Sequence, residues 1–209
     1  MKKLFVSILL CVSFHVSAQK SEPVSTWNFG TNVSSVDVDV LNGSITLISN
    51  TASKATVEMF VSYNSSKRKW SDEEIKQELE ETYTIEVKVE GEKLLVTAKP
   101  KVNACRLNVS FKITAPESIN SHLKTLNGSI SISNLSGSQD IQTVNGSLNI
   151  DNVLGEINGK TVNGSINAKK SKGKITLSTV NGNIKAQNLK GVVSTSTVNG
   201  KVMKVKRQS

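Results

Sequence analysis

The sequence predicts an all-β fold: a parallel β-solenoid of 18-residue, two-strand coils, each made of two nonapeptide half-turns, with an N-terminal β-rich cap that carries one short helix. Three observations predict it. Asn-Gly recurs at Asn127-Gly128, Asn145-Gly146, Asn163-Gly164, Asn181-Gly182 and Asn199-Gly200, always 18 residues apart. Gly137, Gly155, Gly173 and Gly191 divide that period in two, so nine of the 13 glycines keep one phase and the unit has nine residues. Only 4% of the chain is aromatic, which suits a narrow aliphatic interior. Internal repeats of this length mark a stacked architecture in which each unit buries its apolar face against its neighbours.

Within each unit, counted from glycine as zero, apolar residues fall at offsets two, four and seven. Ile130, Ile132 and Leu135 fill the first unit, and Ile175, Leu177 and Val180 a later one. Gln139, Gly159, Ser171 and Thr195 are the exceptions between residues 128 and 199. Offsets two and four lie one residue apart and so share one face of a short strand. Offset seven is expected to point inward again after a corner. Glycine supplies positive φ or close backbone approach there, and the preceding Asn tolerates the left-handed region. Coils then stack at about 4.8 Å, the spacing of paired strands. Helical periodicity is absent.

An early rung carries the same pattern: Val36, Val38 and Leu41 before Gly43, then Ile45 and Leu47. The stack is thus expected to start near residue 33 and to be interrupted over 52–115. In the interruption, Ala55 to Tyr63, Tyr83 to Glu90, Leu94 to Ala98 and Leu107 to Ile113 read as strands. Ser71 with Glu74 three residues on reads as a capping box, and Ile75 with Leu79 gives the following helix one apolar face. Trp27, Phe29, Phe60, Tyr63, Trp70, Tyr83 and Phe111 all precede the regular array and read as cap core.

The N-terminus reads as an address. Lys2 and Lys3 precede an apolar run, Leu4 to Val16, too short to span a bilayer, and Val16-Ser17-Ala18 fits a cleavage site before Gln19. Leu10 before Cys11 argues against lipidation. The organisation expected is signal peptide 1–18, first rung and cap 19–115, regular repeats 116–206 and tail 207–209. Cleavage leaves one cysteine, Cys105, in an apolar alternation that suggests burial, and no later segment apolar enough to cross a membrane. The protein is expected to be exported, to the periplasm, the cell surface or the medium.

The whole chain carries +9. Its excess is localised: residues 157–209 hold eleven basic residues and no acidic one. Lys169, Lys170, Lys172, Lys174, Lys185 and Lys190 are the candidate surface for an anionic ligand such as an acidic polysaccharide or the envelope surface. Lysines at a sheet edge also oppose aggregation, and that reading stands beside the first. Lys204 falls in an inward slot, so the final coil is expected to fail. Nucleic acid is not an expected partner, since the chain is read as exported and shows no recognition motif.

The Asn42-Gly43-Ser44-Ile45 rung, the Ile113-Thr114-Ala115-Pro116 strand end and the Thr-Val-Asn-Gly-Ser-Ile rungs, behind an export signal, resemble the bacterial putative-adhesin family and, beyond it, the head domain of putative autotransporter adhesins. The resemblance spans roughly residues 30–206. It implies a β-solenoid on an envelope protein and brings no catalytic residues.

No metal site or cofactor is expected. Calcium-binding nonapeptides need a recurrent Asp, and only Asp140 and Asp151 stand in the array. Asp140 and Glu156 fall on one sheet in adjacent coils, as a glycoside-cleaving pair would. Lys174, one coil above Glu156, makes an ion pair the better account. Asn127, Asn145, Asn163, Asn181 and Asn199 read as a structural amide ladder. The matching Thr row, with Ser, offers an exposed polar face. The reading favoured is a non-catalytic, adhesin-like binding module presenting polar and basic faces to an anionic glycan or envelope polymer. The alternative is a periplasmic structural or envelope-sensing protein with a protein partner, and a carbohydrate-active enzyme comes third.

Overall fold

The computed structural model describes residues 22–30, 33–50, 54–63, 70–102 and 107–205. Residues 1–18, read as an export signal, and Cys105 lie outside the described residues. In chain order the strands are β1 (Ser25–Phe29), β2 (Ser35–Asn42), β3 (Ile45–Asn50) and β4 (Ala55–Tyr63), followed by the helix α1 (Asp72–Thr82). Then come β5 (Tyr83–Glu90), β6 (Lys93–Pro100), β7 (Leu107–Pro116), β8 (Asn120–Asn127), β9 (Ile130–Leu135) and β10 (Gln139–Asn145). The repeats continue as β11 (Leu148–Lys160), β12 (Ile166–Lys169), β13 (Lys172–Asn181), β14 (Ile184–Gln187), β15 (Lys190–Asn199) and β16 (Val202–Val205). The capping box is present, with the Ser71 hydroxyl accepting from the Glu74 amide and the Glu74 carboxylate accepting from the Ser71 amide.

The repeats pair in parallel with an 18-residue offset. One ladder runs β8–β10–β11–β13–β15, with Gln139 beside Ser121 and Ile157 and Ile175 beside Val193. The other runs β9–β11–β12–β14–β16, with Ile130 beside Leu148 and Ile184 beside Val202. The long strand β11 belongs to both, so all sixteen strands form one sheet, nearly closed and barrel-like, of mixed orientation. The mixture arises at the N-terminal end. There β4 pairs antiparallel with β1 and β7, and β5 pairs antiparallel with β6. Among the described residues the fold is thus mostly β with one short helix. Parallel pairing runs through the repeats, antiparallel pairs join β1, β4 and β7 and β5 and β6, and the whole is a mixed, barrel-like sheet and not the clear parallel solenoid expected.

The segment 52–115 does more than cover the first coil. β6 and β7 pair in parallel with β2 and β3, on the side away from β8 and β9. Asn42 therefore stacks directly on Asn127, and what is interrupted in the chain is continuous in space.

The core is an aliphatic column fed from both ladders: Val38, Leu94, Leu123, Ile141, Ile157 and Ile175 from one, Ile45, Ile113, Ile130, Leu148, Ile166 and Ile184 from the other. Two expectations about its frame are corrected. Val162 and Val180, at offset seven, are each 38% exposed, whereas the preceding Thr125, Thr143, Thr161 and Thr179 are buried. In this half-turn the strand continues without a corner through offset six, so alternation carries Thr inward and Val outward. The early rung agrees: Val40 is buried and Leu41 half-buried. In the other half-turn Asn134, Asn152, Lys170 and Asn188 take left-handed φ of 53–58° at offset six. That corner returns Leu135, Val153 and Ser171 to the interior.

The second correction concerns the Asn-Gly corner. Its asparagines are absent from the positive-φ residues, and its glycines serve close approach. A Cβ on Gly146 would sit 2.0 Å from the Gly128 carbonyl oxygen, and one on Gly164 would sit 1.9 Å from that of Gly146. The last coil also holds longer than expected, since β16 pairs with β14 through Val205, with Lys204 beside Ala186.

Candidate functional site

The interior polar residues are engaged. Each buried Thr hydroxyl donates to the glycine carbonyl of the coil before: Thr143 to Gly128 at 2.9 Å, Thr161 to Gly146 at 2.9 Å and Thr179 to Gly164 at 2.9 Å. The Thr row is therefore an internal fastener and not part of an exposed polar face. Gln139 bridges the Ser121 hydroxyl and the Ile119 carbonyl, and the Ser171 hydroxyl accepts from the Val153 amide. Among the described residues, no cluster of three or more His, Cys, Asp and Glu side chains is placed to hold a metal ion.

Both candidate acid–base residues have partners. Glu156 accepts from Lys174 at 2.7 Å, and the Lys174 ammonium is held above its ordinary pKa by that hydrogen bond. Asp140 accepts from Asn158 and Gln142 and lies 3.0 Å from Nδ1 of His122. These contacts tie the carboxylates into coil-to-coil ladders.

The amide ladder runs unbroken on one edge. Asn127 donates to Asn42, Asn145 to Asn127, Asn163 to Asn145, Asn181 to Asn163 and Asn199 to Asn181, at 2.7 to 2.8 Å. A second amide row lies at the opposite corner, where Asn152 donates to Asn134 at 2.8 Å. The sequence reading missed that row, although its period is visible at Asn134, Asn152 and Asn188. Lys170 occupies the row's remaining position and interrupts it, with φ 53°. A left-handed conformation costs a side chain such as lysine about 1 kcal/mol, more than it costs Asn.

The six candidate lysines sit around this corner, on three surfaces. Lys169 and Lys185 stand on the outer face of the β12–β14 ladder, and Lys174 on the outer face of β13. Lys170, Lys172 and Lys190 hold the corner between, with Lys172 and Lys190 directly in register. Two of the six are neutralised, Lys174 by Glu156 and Lys169 by Asp151 at 3.3 Å. Among the described residues Lys170, Lys172, Lys185 and Lys190 have no ion pair. Beside the corner, a groove of about 480 Å³ crosses the outer face of β11, β12 and β14. Asn149, Asp151, Asn167, Lys169, Lys185 and Gln187 line it. The arrangement offers amide donors on a shallow floor and uncompensated ammonium groups at one side, which is chemistry for holding an extended, negatively charged, hydroxyl-rich chain.

No family model and no curated protein matches the chain. Solved structures similar to it include a putative cell adhesion protein from Clostridium sporogenes, 10% identical over 87% of this chain and 99% of that one, with a TM-score of 0.40. A putative adhesin from Bacteroides fragilis is 15% identical over 86% of this chain and 96% of that one, TM-score 0.42. A putative adhesin from Parabacteroides merdae is 14% identical over 88% and 96%, TM-score 0.26. No helix among the described residues is long and apolar enough to cross a membrane.

Proposed function

We propose that this chain is an exported, non-catalytic binding module of the adhesin type, a β-solenoid stack whose basic corner holds a linear anionic polymer, a surface glycan or an envelope polysaccharide. The observation that carries the reading is Lys170. It stands at a left-handed position that Asn fills in the neighbouring coils, and it breaks an amide row to stand there. Strained backbone positions concentrate at binding and active sites. The register repulsion of Lys172 against Lys190 lies at the same corner and is relieved by the same ligand. Export is supported by the N-terminal address, and the absence of catalysis by the ladder contacts of Asp140 and Glu156.

The test is binding of dextran sulfate, with uncharged dextran as the control, to the purified chain at rising ionic strength. The reading expects binding to the sulfated polymer alone, weakening as salt screens it, and lost in the Lys170→Glu/Lys172→Glu/Lys190→Glu variant. Absence of binding at low salt, or binding untouched by the three reversals, overturns it.

A further inference from the structure

The two ends of the stack differ in charge and finish, and each has what the other lacks. At the C-terminal end of the described stack, β15 pairs only with β13 and β16 only with β14, so both outer strand edges carry unpaired peptide groups. Val202, in register with the buried Ile184, is 38% exposed, no described strand lying beyond β16, and Met203 and Val205 are exposed on the same strand. Lys201 and Lys204 are exposed on the turn before β16 and on β16 itself, and Lys190 is exposed at the start of β15.

At the N-terminal end the edge strands are β1 on one ladder and β5 on the other, with α1 between them. The helix does not fill the gap. A groove of about 570 Å³ remains, walled by Trp27, Met59, Ile75, Leu79, Tyr83 and Ile85, with Asp72 and Glu80 and the cations Lys76 and Lys101 among its lining, so the acidic excess of this end lies on the helix and not in the groove. Residues 72–82 hold Asp72, Glu73, Glu74, Glu78, Glu80 and Glu81 against Lys76 alone. Residues 1–156 carry 15 basic and 17 acidic residues, net −2, and residues 157–209 carry +11, which together give the +9 of the chain.

We infer that copies of this chain associate head to tail, the basic apolar end of one seated against the apolar groove and the acidic helix α1 of the next. The charge distribution selects this arrangement. A two-fold dimer through either end places like charges face to face, whereas basic end against acidic end is attractive and brings apolar surface to apolar surface. Among the described residues the terminal strands at both ends pair on one side only, and such edges extend a sheet from one chain into another. A contact between two different surfaces of identical chains cannot stop at a two-fold dimer and closes only where its rotation makes a ring; surfaces at opposite ends of one stack leave it open-ended.

Sedimentation velocity of the full chain tests this at low and high ionic strength over a wide concentration range. The expected result is a sedimentation coefficient that rises with concentration at low salt without a plateau at the dimer, and falls back to the monomer value at high salt. Lys201→Glu/Lys204→Glu should be monomeric, and so should Asp72→Lys/Glu80→Lys. Mixing the two variants should restore association, because each then meets an end of opposite sign. Circular dichroism checks that both variants fold, and the wild-type salt dependence decides the matter if one does not. A monomer at every concentration, a plateau at a closed dimer, or association indifferent to the charge reversals overturns the inference. Lys201 and Lys204 lie outside the basic corner, so failure here leaves the polymer-binding reading standing.

Discussion

Nδ2 of Asn127 donates to Oδ1 of Asn42 at 2.7 Å across 85 residues of chain, in the geometry that links every later pair 18 residues apart. The ladder passes through the interruption undisturbed because β6 and β7 lie on the far side of β2 and β3 and leave the rung facing β8 and β9 in place. Asn127→Ala removes a bond on each side, to Asn42 and to Asn145. It should lower the free energy of unfolding by about 1 kcal/mol. Asn199→Ala, which loses one described side-chain bond, should cost about half as much in the same urea titration.

The corrected frame separates two neighbouring residues. Thr161 is 5% exposed and its hydroxyl satisfies the Gly146 carbonyl; Val162 is 38% exposed. Thr161→Val should cost about 1–3 kcal/mol, since the acceptor loses its donor. Val162→Thr should stay within about 0.5 kcal/mol. Denaturant midpoints compare the two directly, and a reversed order would restore offset seven to the interior.

The glycines of the Asn-Gly corner should tolerate no side chain. Ala at Gly164 would place its Cβ 1.9 Å from a carbonyl oxygen, in a contact of backbone on backbone. Gly164→Ala should destabilise by more than about 4 kcal/mol or abolish cooperative unfolding. Nothing lies within 4 Å of a Cβ at Gly30, and Gly30→Ala should be neutral by the same thermal melt.

What could be read from the sequence was whatever repeats by nine or eighteen: the strands, the glycine rows, the Asn127 ladder and the Glu156–Lys174 pair. The cap strands were readable from alternation, and β4 and β5 fall at the residues expected. Period alone does not say where a half-turn bends. Offset seven is inward in one half-turn and outward in the other because Asn134 and its equivalents take left-handed φ, a backbone property that apolarity does not report. Nor does period reveal that a late segment can pair beneath an early one, as β6 does with β2. The six lysines were visible as a charge run, while their division into two neutralised groups, an unpaired Lys185 on the outer face and an unpaired corner depended on the register that brings Asp151 to Lys169.

The ion pair at the corner's edge has a definite pH signature. Glu156 raises the pKa of Lys174 above its ordinary 10.5. A raised folded-state pKa gives stability that is fully present below 10.5 and is lost as pH climbs through the folded value, so the contribution vanishes only in strong alkali. NMR titration of the Lys174 side chain should show the raised value, and Glu156→Gln should return it towards 10.5.

Lys170→Asn bears most directly on the central claim, that the corner sacrifices stability for an anion site. Asn relieves the left-handed strain and can rejoin the row of Asn134 and Asn152. The account predicts that this variant unfolds at a higher denaturant midpoint than the wild type, by about 0.5–1 kcal/mol, and binds dextran sulfate more weakly at low salt. Unchanged affinity in a stabilised variant would contradict it.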